Sequence, residues 1–112
     1  MESTRQKKIS RLLQREIAEI LRKKTPVLAP GKMITVTTVR VSPDLGTSKI
    51  YLSVFPSEES TTVLANINSA KGSLRNELGK LVGKQLRVVP EINFYIDDSL
   101  DYIDNIDSLL SE

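Results

Sequence analysis

Positively charged residues surround a cluster of small residues in the middle of the chain, and this pattern has the clearest chemical meaning. Ala70, Gly72 and Ser73 lie close together, with Lys71 and Arg75 among them. Small residues within a helical pattern favour a kink between two helices. The second helix would begin with free N–H groups and the positive end of its dipole, which attract anions. The cluster is therefore a candidate phosphate site, and the alternative is a corner that only lets two helices pack.

The charge is unevenly distributed along the chain, although the net charge is only +2. Residues 1–24 contain eight basic and three acidic residues, residues 25–70 contain three of each, and residues 71–90 contain five basic and one acidic. Residues 91–112 contain seven acidic and no basic residues. Two basic segments and an acidic end favour a polyanionic partner on one side of the molecule. Solvated charges on ordinary helix faces would give the same counts, so charge alone leaves both interpretations open.

The composition excludes several kinds of active site. The chain has no cysteine and no histidine, which removes disulfides, Cys/His zinc sites and the commonest nucleophile and general base. A cluster of aspartates near the C-terminus does not have the spacing of a calcium loop; it comprises Asp97, Asp98, Asp101, Asp104 and Asp107. A carboxylate site for a hard cation remains possible in principle, but we expect no metal on these acids, because acids in a first helical turn suit the helix dipole.

The sequence has no apolar run near the roughly 18 residues that span a bilayer. It also lacks an N-terminal stretch typical of a signal peptide. These observations predict a cytoplasmic protein with no membrane partner, and its 112 residues have the usual length of one domain. We expect a single domain over residues 1–112.

The element that must position the first basic segment is a helix from about Thr4 to Lys24. Its apolar stripe has helical spacing and consists of Ile9, Leu12, Leu13, Ile17, Ile20 and Leu21. Most basic residues lie off the stripe. Lys23 and Lys24 are expected in the last turn, where cations suit the helix dipole. Thr25-Pro26 is expected to end the helix.

Runs of β-branched residues and of alternating apolar residues predict three strands. The first covers residues 34–41, and its pattern changes parity, which predicts a bulge near Thr37 or Thr38. The second covers residues 49–55 and forms an antiparallel hairpin with the first. The third covers residues 86–96, with a bend or an unpaired edge at Pro90.

Two further helical segments complete the expected fold. Ser57 is the expected N-cap of the helical region that contains the kink, and Gly83 is its expected end. Asp97-Asp98-Ser99 is expected to begin a last short helix. The result is an α+β fold in which helices cover one face of a three-stranded sheet. Three aromatic residues alternate with the inward-facing residues of their strands: Tyr51, Phe55 and Tyr95. Their side chains are therefore expected on the other face of the sheet, where they either stack on bases or are covered by the first or last helix.

Four separated stretches resemble the bacterial ribosome-binding factor A family, which has a type II KH-like fold. The stretches are the basic first helix with Arg11, Arg15 and Glu16-Ile17-Ala18, the segment 39–45 (Val-Arg-Val-Ser-Pro-Asp-Leu), the segment 65–75 and the segment 90–100. KH modules grip nucleic acid with a Gly-x-x-Gly loop, and no two glycines here have that spacing. The family has an Ala-x-Gly kink in that place, and Ala70-Lys71-Gly72 fits it.

The resemblance implies a monomeric assembly factor that binds the free or immature small (30S) ribosomal subunit. Such a factor is not an enzyme and has no cofactor and no small-molecule substrate. It would promote late maturation, including 5′-end processing of 16S rRNA, without catalysing it. A general KH-like module for single-stranded RNA is the alternative. Two further alternatives are a metal-dependent nuclease and a protein that binds a protein partner and has no role with nucleic acid. The residues expected to contact rRNA are Arg5, Lys7, Lys8, Arg11, Arg15, Ala70, Lys71, Gly72, Ser73, Arg75, Lys80, Lys84 and Arg87.

Overall fold

A computed structural model describes residues 3–86 and 88–97. Its elements, in chain order, are α1 (Thr4–Leu28), β1 (Met33–Val41), β2 (Thr47–Phe55), a short 3-10 turn (Ser57–Glu59), α2 (Ser60–Ser69), α3 (Lys71–Val82) and β3 (Glu91–Ile96). The sheet has the order β1-β2-β3. Strand β1 is antiparallel to β2, and β3 is parallel to it. The expected α+β, KH-like fold is confirmed, while the expected C-terminal helix lies outside the described residues.

Helix α1 begins where the sequence predicts, with reciprocal capping by two side chains. The hydroxyl of Ser3 accepts from the Gln6 amide, and the Gln6 side chain accepts from the Ser3 amide. The buried Gln6 side chain also donates through Nε2 to the carbonyl of Val41 at 2.9 Å. This residue therefore both starts the helix and attaches its first turn to the end of β1.

The predicted end of α1 at Thr25-Pro26 is wrong, because the helix continues through the proline to Leu28. The Thr25 hydroxyl donates to the Leu21 carbonyl at 2.6 Å, and the Ala29 amide donates to the Thr25 carbonyl at 2.8 Å. Pro26 has no amide hydrogen, so the helical bond to the Arg22 carbonyl is not made, while Thr25 bonds to the turns before and after the proline. The preference of the residue before proline for extended geometry does not prevail at Thr25, which lies inside the helix.

The longer helix also changes the explanation for Lys23 and Lys24. They lie inside α1 and not in its last turn, which contains no basic residue. Their expected role at the helix dipole is therefore wrong. Lys24 instead pairs with Glu77 of α3, with 3.1 Å between Nζ and Oε1.

The β1–β2 hairpin confirms the predicted pairing and the predicted bulge. Its register shifts between Val36 and Thr38. Ile50, Leu52 and Val54 are buried, as their alternation indicates. The apolar stripe of α1 packs on this inner face, mainly over β1. The helices therefore cover one face of the sheet.

The third strand is shorter than predicted, because it begins at Glu91 and not at Leu86. Val88 is 68% exposed, whereas Pro90 is fully buried. Parallel pairing starts with the Glu91 amide, which donates to the carbonyl of Gly46 at 2.9 Å. Residues 83–86 and 88–90 belong to the connector between α3 and β3. Pro90 has no amide hydrogen and therefore cannot donate to the ladder.

The helical region after β2 contains the predicted kink at Ala70, between α2 and α3, and ends at Gly83 as predicted. Its predicted N-cap is wrong. A 3-10 turn occupies Ser57–Glu59, and Glu59 precedes α2 without a side-chain capping bond. Gly79 faces the connector, where an added Cβ would lie 3.8 Å from Val89 Cγ2.

Replacing the exposed Pro26 tests the continuity of α1. We expect Pro26→Ala to raise the free energy of unfolding by about 1 kcal/mol, because alanine supplies an amide donor and suits a helix better. Urea denaturation of both proteins measures this difference. A destabilised variant would show that the proline is needed where it stands.

Candidate nucleic-acid interface

The start of α3 is open on its outer side. Ala70 occupies the N-cap position and makes no side-chain capping bond. A Cβ added to Gly72 would meet no heavy atom within 4 Å, so this glycine does not serve close packing inside the described structure. Ser73, in the same turn, is exposed. Helix starts with uncapped amides attract anions, and here the approach from outside is free.

Arg75 is held by the connector that leads into β3. Its Nη2 donates to the carbonyl of Val89 at 2.7 Å, and its Nε donates to the carbonyl of Pro90 at 3.4 Å. Together with Gly72 and Asn76, it lines a shallow hollow beside Val89. A guanidinium carries five N–H donors, so Arg75 can keep these bonds and still donate to a phosphate. Its charge therefore has a fixed position next to the start of α3.

Lys71 reaches the edge of the sheet. Its Nζ donates to Oδ1 of Asn93 on β3 at 3.1 Å. Both kink cations thus have partners within the fold, which the sequence did not indicate. Replacing either one would disturb packing contacts as well as any ligand contact.

A cleft places two of the predicted cations beside the connector. Arg5 and Lys8 line one side of a space of about 610 Å³, and Gln85, Leu86 and Val88 line another. Asp44, in the turn between β1 and β2, also lines this space. The Ser42 hydroxyl and the Gly46 amide hold the pKa of Asp44 below its ordinary value. Its ionised carboxylate would repel a polyanion and so favour contact through the cations.

A second groove joins α1 to α3 and contains two cations that the sequence analysis did not select. Lys23 and Lys24 of α1 line it together with Lys80 of α3. Glu77 also lines it and pairs with Lys24, so the groove keeps a net positive charge. Lys23 and Lys24 were expected in the last turn of α1, where the helix dipole was a sufficient explanation for them, so the sequence did not indicate a role in this groove. Only the packing of α1 on α3 reveals it.

The other predicted cations that the structure describes are not among the residues that line the cleft or the groove. Arg11 and Arg15 are exposed on α1, and Arg15 pairs with Glu16 at 3.1 Å. Lys84 is exposed in the turn after α3, and Arg87 lies outside the described residues. Lys7 is also exposed on α1.

The position of Lys7 follows from helical periodicity. It shares a flank with Gln14, seven residues later. The Gln14 side chain lies toward β1, where its Nε2 donates to the carbonyl of Val36 at 3.4 Å. Lys7 therefore faces β1 and not α3.

Arg22, on the outer side of α1, is engaged within its own helix. It donates to both oxygens of Glu19, and this hydrogen bonding lowers the pKa of Glu19. The charges of the pair offset one another, so this part of the helix contributes little to the positive surface.

The described residues contain no group of three or more carboxylates placed to hold a metal ion. Most of the acidic C-terminal cluster lies outside the described residues. None of the described helices has the length and hydropathy needed to cross a membrane.

The contrast between Gly72 and Arg75 can be measured. We expect Gly72→Ala to leave the free energy of unfolding unchanged or to raise it by up to about 1 kcal/mol, since alanine suits a helix and has space. Arg75→Ala should lower it by about 1 kcal/mol, because it removes two bonds to carbonyls. Urea denaturation midpoints check both values. The opposite ranking would contradict the packing described for the kink.

The sequence is similar to a well-populated group of bacterial proteins. The profile of the family described as Ribosome-binding factor A matches residues 5–110. A relative of that name from Cytophaga hutchinsonii is 43% identical over 112 residues, which cover 100% of this chain and 84% of the relative. A relative of the same name from Brevibacillus brevis is 38% identical over 113 residues, covering 100% and 91%.

Solved structures with this fold carry the same name. The crystal structure of ribosome-binding factor A from Thermus thermophilus has 27% identity and a TM-score of 0.65, covering 81% of this chain and 94% of that chain. A homology model of the Thermus thermophilus protein, fitted into a cryo-EM map of a complex between the 30S subunit and ribosome-binding factor A, has 27% identity and a TM-score of 0.62, covering 78% of this chain and 89% of that chain. Sequence and structure agree that this chain belongs to the ribosome-binding factor A family.

Proposed function

We propose that this protein binds the free or immature small (30S) ribosomal subunit and assists its late maturation. Family membership supports this role, as does the complex with the 30S subunit into which a Thermus thermophilus relative was fitted. The observation in this chain that carries the proposal is the open start of α3 at Gly72, flanked by fixed cations. Maturation includes 5′-end processing of 16S rRNA, which the protein promotes without catalysing. It acts in the cytoplasm as a single-domain monomer.

The cations of α1 and α3 define the surface that contacts rRNA in this proposal, which we call the α1–α3 face. It consists of Arg5, Lys8, Lys23, Lys24, Lys71, Arg75 and Lys80, together with the open start of α3. Lysine and arginine bind the phosphates of RNA and release condensed counterions, so affinity falls as salt increases. The phosphate contacts hold the protein, while the kink determines where on the subunit it lies.

The kink favours folded rRNA over an extended strand. Ala70-Lys71-Gly72 is a helix junction with a firm geometry, because Lys71 and Arg75 attach it to β3 and the connector. It lacks the loop with which KH modules clamp single strands. A rigid, open helix start suits a phosphate backbone that is already folded. Binding would then shift the rRNA of the particle toward the conformation that fits this face.

Sucrose-gradient centrifugation with purified particles tests the proposed function. We expect the protein to co-sediment with free and immature small subunits, and to bind these particles more tightly than an unstructured oligonucleotide. Failure to co-sediment at low salt would contradict the proposal. Oligonucleotide binding as tight as particle binding would instead favour a general single-stranded RNA module.

Adjacent lysines on α1 provide a matched test of the α1–α3 face. Lys8→Glu reverses a charge in the cleft, whereas Lys7→Glu reverses a charge on the β1 flank with the same net change. We expect Lys8→Glu to weaken subunit binding and to reduce the slope of log K against log salt by about 1. Lys7→Glu should have a much smaller effect. Equal losses in both variants would show that only the overall charge matters.

A further inference from the structure

The outer face of the sheet carries side chains that the proposed α1–α3 face does not use. Ile50, Leu52 and Phe94 are buried under the helices, so the residues that alternate with them in the strands lie on the other face. Phe55 is 69% exposed and Tyr95 is 41% exposed there. Helix α1 packs on the opposite face, so the first helix does not cover these aromatics. The last helix, which was the other expected cover, lies outside the described residues.

Two aromatic rings lie side by side on this outer face. Tyr51 of β2 pairs with Tyr95 of β3, and their ring centroids are 5.6 Å apart with an interplanar angle of 30°. The half-buried Tyr51 and the exposed Tyr95 support one another, which limits the entropy that each would lose on binding a ligand. Rings fixed in this way offer π-faces on which the bases of a single strand can stack.

Positive charge lies in the row of residues next to the rings. Lys49 precedes Tyr51 by two positions in β2, so it lies on the same face at a distance of about 7 Å along the strand. Its neighbours across the sheet are Arg40 in β1 and Asn93 in β3. Arg40 and Lys49 are exposed. Cations beside aromatic rings match the phosphates and bases of one strand of RNA.

This row continues into the kink. Asn93 accepts a hydrogen bond from Lys71 at 3.1 Å, and Lys71 is the first residue of α3. The outer face of the sheet and the α1–α3 face therefore meet at the edge of β3. A strand of RNA that leaves the start of α3 can follow Lys71, Asn93 and Lys49 onto the rings.

We propose that the outer face of the sheet binds a single-stranded segment of RNA, with bases stacked on Tyr51 and Tyr95 and phosphates held by Lys49 and Arg40. The identification of this segment as rRNA rests on the function proposed above. A second copy of this chain is a poorer occupant, because a two-fold contact repeats the same patch on both sides and would bring these cations close to their own copies.

Paired substitutions separate stacking from simple burial. Tyr51→Leu/Tyr95→Leu keeps apolar side chains without rings, and Tyr51→Phe/Tyr95→Phe keeps the rings without hydroxyls. The assay is fluorescence anisotropy with a labelled oligouridine of about ten nucleotides, a usual site size for such surfaces. We expect the leucine variant to bind roughly 10- to 100-fold more weakly than the wild type. The phenylalanine variant should stay within about twofold.

A second variant keeps the test decisive if the leucine variant does not fold, as judged by circular dichroism. Arg40→Gln/Lys49→Gln retains both rings, and it should weaken oligouridine binding and reduce the salt slope by about 2. The inference is overturned if the wild type ignores oligouridine, or if folded variants bind as the wild type does. Concentration-dependent dimerisation that the leucine variant abolishes would assign the face to a second copy and would also overturn it.

The two proposals fail in different ways. If the wild type co-sediments with small subunits and oligouridine binding is absent, the sheet-face inference is wrong and the proposed function stands. If oligouridine binds through the rings and the protein does not co-sediment, the sheet face binds RNA while the ribosomal role fails.

Discussion

Burial of the apolar stripe of α1 against the inner face of the sheet is the interaction on which the rest of the structure depends. Leu13, Ile17 and Leu21 are at most 3% exposed, and burial of side chains of this size stabilises a fold by about 1.5–3 kcal/mol each. Because this stripe must face the sheet, the basic residues between its members face solvent. The location of the positive charge is thus a consequence of core packing, and a partner that needs that charge uses a surface that the fold already presents.

The kink combines two requirements that often conflict in proteins. An anion site needs an open helix start, whereas a stable corner needs contacts that hold it in place. Gly72 supplies the opening, and Arg75 supplies the contacts through the carbonyls of Val89 and Pro90. The same contacts position the connector from which β3 enters the sheet. The same side chain therefore contributes to the placement of the third strand and to the candidate phosphate site.

Local patterns were sufficient to predict most elements, because hydrophobic period and turn residues act over a few positions. They predicted the bulge near Thr38, the kink at Ala70 and the end of α3 at Gly83. The errors came from contacts between distant residues or from competing local bonds. Strand β3 begins only at Glu91 because its parallel partner begins near Gly46. Helix α1 passes Pro26 to Leu28, and Thr25 bonds to the turns before and after the proline.

The candidate site was likewise predicted where it depends on local patterns and missed where it depends on contacts between distant residues. Sequence identified the kink and most of its cations, since small residues and charges are visible in the chain. It did not identify Lys23 and Lys24, whose positions near an expected helix end offered a sufficient local explanation. It also gave no sign that Lys71 and Arg75 already have partners in the fold. Both facts depend on how α1, α3 and the connector pack, which no local pattern contains.

Lysine footprinting on bound particles shows which side of α1 contacts the subunit. The protein, alone and in complex with immature small subunits, is treated with an amine-reactive reagent, and modification is measured for each lysine by mass spectrometry. We expect Lys8, Lys71 and Lys80 to become protected in the complex while Lys7 stays reactive. Protection of Lys7 with Lys8 and Lys80 left reactive would contradict this expectation.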